Sequence, residues 1–273
     1  MRRVRTSTVM AYVVLSVLAL LWLPLYLAVS TSLKSAKEVS EMNYPAPPKH
    51  PLLSNYLIAW NSGIGLGLVN SMIISLPTTL ICVLVGAWGG YYLSRFKFRL
   101  APLLFFLATI ATFIPYQIIL IPLTQLVTTL RIGQTYWGLI FSYVLLNAPL
   151  ATLVTATFFT SIPEELESAA LVDGCGPLTI FWKIILPVAK PALASTAILV
   201  FTNVWNEFLL ALTLQTPHTK PVTPVVAELK GCWVAQWHIQ MAGALTAILP
   251  PLVIFLFMGK YFIRGLLAGT LKA

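Results

Sequence analysis

Two groups of acids hold the residues whose types and spacing could do chemistry. Glu164, Glu165, Glu167 and Asp173 place half of the chain's eight acidic residues within ten positions. Glu207 stands by itself in an apolar stretch, with Asn203 four residues and Asn206 one residue before it. In a helix, Asn203 and Glu207 share a face. Such a stripe could hydrogen-bond a polar solute or hold two helices together, and interhelical polar contacts are common glue. Neither group brings the partners that bond-making needs. His50, His218 and His238 are scattered and read as solvated loop residues. Cys82, Cys175 and Cys232 offer no disulfide framework and no metal spacing. No G-x-x-x-x-G-K-[ST] run cradles a phosphate. Gly63-Ile64-Gly65-Leu66-Gly67 lacks the flanking context of a nucleotide site and reads as loosening the start of a helix. Neither group, on its residues, is a site of covalent chemistry.

The elements that must position these residues belong in lipid. Hydrophobic residues make up 58 % of the 273 and charged residues 9 %, with mean hydropathy +0.87. Soluble domains are nearer a quarter charged. The net charge of +9 reflects Lys and Arg flanking membrane spans, so no nucleic-acid partner is inferred. The composition and pattern give an all-α polytopic membrane protein, one transmembrane domain over 1–273. Six apolar stretches reach the roughly 20 residues that cross a bilayer: 9–32, 66–93, 101–126 (broken by Pro115 and Pro122), 136–159, 191–214 and 241–262. Trp22, Trp60, Trp88, Trp137, Trp233, Trp237 and Tyr261 lie near their ends, as interfacial aromatics do. With both termini on the same side, eleven of the 17 basic residues share that side, among them Arg95, Lys97, Arg99, Lys183, Lys190 and Lys272. The positive-inside rule then predicts cytoplasmic termini in a multi-pass cell-membrane protein. The segments 33–65 and 215–240 then face outside, and the Pro-rich first one reads as an irregular outer loop. Asn70, Gln117, Gln125, Tyr116, Tyr143 and Asn147 are further polar residues in spans, and Gly86-x-x-x-Gly90 permits close helix packing.

The acid-rich insert, 161–190, falls between spans four and five on the cytoplasmic side. Ser161-Ile162-Pro163-Glu164 reads as a capping box, with Glu164, Glu165 and Glu167 suited to a helix N-terminus. Leu166, Ala169 and Ala170 share one face. Asp173-Gly174 stops the helix because Gly accepts positive φ. Gly176-Pro177 starts a second short helix, which Pro187 ends. An amphipathic helix on the lipid surface usually has a basic polar face. This one is acidic and its apolar face is largely alanine, which favours a soluble protein partner.

The insert resembles the loop of ABC-importer permease subunits, the EAA motif, followed by three residues, Gly, nine residues and Ile-x-Leu-Pro. Ala169 and Ala170 match the alanines, Gly174 the glycine, and Ile184, Leu186 and Pro187 the ending. Ser168 stands where the family carries Glu, with Glu167 beside it. Trp205-Asn206-Glu207-Phe208 and Arg264-Gly265-Leu266-Leu267-Ala268-Gly269 resemble the carbohydrate branch of that family. The resemblance implies a cytoplasmic two-helix coupling loop between spans four and five, docked on a separate ATPase subunit. Glu165, Glu167, Ser168, Ala169, Ala170, Asp173, Gly174, Ile184, Leu186 and Pro187 are its coupling residues. It further implies a second homologous permease subunit, an ATPase dimer, an extracytoplasmic solute-binding protein and a sugar as partners, within the lipid bilayer. No cofactor is expected in this chain, with ATP and Mg on the partner ATPase. Asn203, Asn206 and Glu207 are then candidates for the substrate path. A stand-alone secondary transporter or channel is the alternative, and it requires ion-coupling groups within spans.

Overall fold

The computed structural model describes residues 2–231 and 235–270; Cys232, Trp233 and Lys272 lie outside them. Among the described residues every regular element is helical. The helices are α1 (Arg2–Ser32), α2 (Ala36–Ser40), α3 (Ser54–Ala59), α4 (Gly65–Arg95), α5 (Ala101–Phe113), α6 (Leu120–Thr129), α7 (Tyr136–Phe159), α8 (Glu165–Val172), α9 (Pro177–Val188), α10 (Lys190–Asn206), α11 (Leu209–Leu214), α12 (Val222–Glu228), α13 (Trp237–Ala247) and α14 (Leu249–Thr270). Among the described residues, four helical stretches are long and apolar enough to cross a membrane, or up to six if each of two bent pairs is one span. Backbone amides in hydrocarbon must be paired within the segment, which is why runs so apolar are helical.

The bends have local causes. α5 and the segment Tyr116–Thr129 meet at 95°. Ile114, ahead of Pro115, is extended (φ −68°, ψ 123°), because the proline ring disfavours the helical conformation in the residue before it. Pro122 was expected to break the helix too. It lies instead in the first turn of α6, where a missing amide costs little. α9 and α10 meet at 76°. Where one span was expected over 191–214, α10 ends at Asn206 and α11 begins at Leu209.

The chain divides into two compact units, residues 1–66 with 224–249 and residues 67–223 with 250–273. In the first, α13 packs against α1 and α3. The segment expected to be irregular is built around polar anchors. Lys34 is 2 % exposed, and its ammonium donates to the carbonyls of Asn43 (2.8 Å) and Tyr44 (3.0 Å). Asn55 donates to the carbonyls of Ser32 and Lys34. Ser35 and Glu38 form a reciprocal capping box on α2. The amides of Ser35 and Lys49 donate to the Glu38 carboxylate and hold its pKa down at about 2. His238, expected in a solvated loop, is buried in α13, because that helix starts ahead of the expected Met241.

In the second unit α7 is the central post. Gly86 and Gly90 of α4 lie against it: a Cβ at Gly86 would sit 2.7 Å from Ala151, and one at Gly90 2.7 Å from the Ala156 amide. The Thr155 hydroxyl donates to the Gly86 carbonyl at 2.6 Å. The glycine pair therefore serves helix packing. Leu139, Tyr143 and Ala151 of α7 form one core with Val200 and Val204 of α10 and Leu210 of α11. Asn70 in α4 is fully buried; it donates to the carbonyls of His218 and Lys220 and accepts from the Tyr136 hydroxyl. Ser71 accepts from the Val222 amide. These contacts fix the path of residues 218–222.

Candidate functional site

The acid-rich insert leaves α7 through a tight turn. The Ser161 and Ile162 amides donate to the carbonyls of Phe158 and Phe159, and the Ser161 hydroxyl also donates to Phe158. Ser161 thus closes α7 and does not cap α8, so the expected capping box is not formed. α8 starts at Glu165, its preceding residue Glu164 making no side-chain cap.

α8 ends in a complete glycine cap. Gly174 has φ +79°; its amide donates to Leu171 and the Cys175 amide donates to Ala170. These are the paired bonds of a Schellman motif. α9 then begins at Pro177. It continues past Pro187 to Val188, where an end at Pro187 was expected. A wide π turn at Phe181–Ile185 precedes the proline, and this local widening accommodates the ring and its missing amide.

The anticipated face of Leu166, Ala169 and Ala170 is divided. Ala170 is buried with Ile162, Ile180, Phe181 and Ile185 against Ala87 and Tyr91 of α4 and Phe159 of α7, and Ile184 and Leu186 pack at the edge of this cluster. Leu166 and Ala169 face outward. Glu167 turns inward. Its carboxylate lies 2.8 Å from Arg95 Nε and accepts the Tyr91 hydroxyl at 2.9 Å. Arg95, nearly buried, also donates to the Ile162 carbonyl and pairs with exposed Glu164 at 3.6 Å. One guanidinium at the end of α4 therefore grips both the turn into α8 and its first helical turn. Glu165, Ser168, Asp173 and Pro187 are exposed, and the Ser168 hydroxyl donates back to the Glu164 carbonyl. The outer surface is apolar at Leu166, Leu171, Val172, Leu178 and Trp182, with Val172 87 % exposed.

The second candidate group lines a cavity of about 580 Å³ between α5, the bend at 114–119, α7 and the end of α10. Asn203, Asn206 and Glu207 all reach it. Glu207 is extended (φ −68°, ψ 135°) and lies at the break between α10 and α11. Its Oε1 accepts the Tyr116 hydroxyl (2.9 Å) and the Leu210 amide (2.8 Å). Its Oε2 accepts the Tyr143 hydroxyl (2.7 Å) and the Ala211 amide (2.9 Å). The carboxylate thus caps α11 and ties it to α7 and to the bend before α6. Tyr116 and Tyr143 were visible in the sequence only as polar residues in spans. Arg95 and Tyr91 were not singled out for the insert, since nothing local points from residue 95 to residue 167.

Residues 82–266 match the family model described as binding-protein-dependent transport system inner membrane component. The chain belongs to this family. It is 34 % identical to the glucose import system permease protein GlcU of Saccharolobus solfataricus, over 94 % of this chain and 92 % of the relative. It is 31 % identical to the sulfoquinovosyl glycerol transport system permease protein SmoH of Agrobacterium fabrum, over 89 % and 86 %. Its fold matches a chain of a bacterial ABC transporter that imports the acidic polysaccharide alginate, with TM-score 0.81 at 20 % identity, over 96 % of this chain and 98 % of that one. The matched segment takes in the insert and the cavity residues alike. The protein is accordingly an ABC-importer permease subunit, multi-pass in the membrane, rather than an enzyme.

Proposed function

We propose that this chain is one of two permease subunits of a carbohydrate importer, with α8 and α9 docking on a separate ATPase that binds ATP and Mg. The observation that carries the reading is the bent pair α8–α9. Arg95 and the core around Tyr91 hold its inner side, while Leu166, Val172, Leu178 and Trp182 remain exposed on its outer side. A surface helix that rested on anionic lipid would present bases, whereas α8 begins with exposed Glu165, and exposed Glu164 stands just before it. The names of relatives such as GlcU and SmoH support the sugar class. Arg95, Lys97, Arg99, Lys183 and Lys190 fall on the side of this loop in the span map, which favours cytoplasmic termini. ATP-driven closure of the ATPase pair would move α8–α9, and with it the end of α4, between two states of access.

The test is purification of the tagged chain with its partners, followed by reconstitution with a solute-binding protein. We expect co-purification of a second permease and an ATPase, and ATP hydrolysis that rises with a sugar-loaded binding protein. Solute flux through this chain alone, without nucleotide, would establish the stand-alone transporter instead.

A further inference from the structure

Glu207 has spent its whole accepting capacity inside the protein. A carboxylate offers about four lone-pair sites, and here two are taken by tyrosine hydroxyls and two by backbone amides. A ligand hydroxyl could reach it only by displacing one of these. The neighbouring amides are in the opposite condition. Asn203 and Asn206 are exposed to the cavity, and no hydrogen bond from either side chain forms among the described residues. Each presents an acceptor and a two-hydrogen donor. The described residues lining the cavity include no Lys, Arg or His. Glu207 is the one acidic residue among them, so an anionic ligand would find no cationic partner there. The cavity volume of about 580 Å³ lies within the roughly 300–1,000 Å³ typical of small-molecule sites.

We infer that Asn203 and Asn206 bind an uncharged polyhydroxy ligand in this cavity, while Glu207 positions the wall that carries them and does not itself touch the ligand. The inference rests on the proposed importer reading and sharpens its substrate class to neutral sugars. Amide groups that donate and accept suit hydroxyls, which do both. A uronate or sulfonate would meet no countercharge here and would sit near a fixed carboxylate.

The experiment uses the whole importer in proteoliposomes with its binding protein. Uptake and ATP hydrolysis are measured for glucose, maltose and trehalose, and for glucuronate and galacturonate as acidic counterparts. The wild-type complex should take up at least one neutral sugar and neither acid. Asn203→Ala and Asn206→Ala should each lower sugar taken up per ATP roughly five-fold, the factor expected for one neutral hydrogen bond. Both variants should unfold at the wild-type temperature, because neither amide is bonded internally. Uptake of a uronate as fast as of a neutral sugar would overturn the charge argument. Normal uptake per ATP by the double variant would overturn the assignment of the asparagines while leaving the importer reading intact. A wild-type complex whose hydrolysis and uptake respond to no sugar would remove both.

Discussion

At the residue scale the two candidate acids, Glu167 and Glu207, are held in opposite ways by the same chemistry. Glu167 pairs with a buried cation, so its partner is lost if either charge is removed. Glu207 is held by four neutral donors, two of which are backbone amides that cannot turn away. That difference decides what Glu207→Gln should do. The carboxamide keeps one accepting oxygen and replaces the other with an NH₂ group. A tyrosine hydroxyl can rotate to accept from that NH₂; the Leu210 or Ala211 amide cannot. One backbone donor is left unpaired beside the cavity, a loss of about 1–3 kcal/mol. The variant should show a lower unfolding midpoint in detergent, and Tyr143→Phe, which removes one hydroxyl donor but leaves both backbone amides paired with the carboxylate, should be milder. An unchanged midpoint for Glu207→Gln would show that the carboxylate does not hold α11 as described.

At the element scale the bend between α8 and α9 depends on one backbone conformation. A Cβ at Gly174 would meet nothing within 4 Å, so substitution there introduces no clash with a neighbour. The cost comes from φ +79° alone, about 1–2 kcal/mol for an L residue in the left-handed region. Uptake per ATP hydrolysed should therefore fall in the order Gly174→Asn, Gly174→Ala, Gly174→Val. Asn tolerates this conformation and should be near wild type, while the branched side chain should uncouple most. Equal coupling in all three would mean that the Schellman turn is not what aims α9. This turn was legible in the sequence because Asp173-Gly174 and Gly176-Pro177 are local signals. So were the apolar helices and the packing role of Gly86 and Gly90. The role of Ser161 was misread because a Ser three residues before an acid fits a cap equally well when it closes the preceding helix. The break of α10 at Asn206 was hidden for a different reason. Glu207 ends that helix through donors on residues 116 and 143, far away in the chain, and hydropathy over 191–214 carries no trace of them.

At the scale of the whole molecule, the proposed importer makes a geometric demand on α8: one side must belong to this chain and the other to the motor. The division is sharp over two residues, since Ala170 is 5 % exposed and Val172 is 87 % exposed. It also explains how Ser168 can stand at the usual Glu position. Glu167, one residue earlier, takes the inward grip on Arg95, and Ser168 is left facing out with its hydroxyl satisfied by Glu164. A cysteine scan reads this division directly, in a background where Cys82, Cys175 and Cys232 are replaced by Ser. Val172→Cys should crosslink to the ATPase subunit in the assembled complex and should react with an impermeant maleimide only from the side where ATP is hydrolysed. Ala170→Cys should do neither, because its side chain is buried in the cluster that includes Tyr91 and Phe181. The trapped Val172 crosslink should also stop sugar uptake while the same variant, left reduced, transports. Capture of lipid alone by Val172→Cys in a working complex would place the outer face of α8 on the membrane, and labelling from the opposite side would invert the assigned topology.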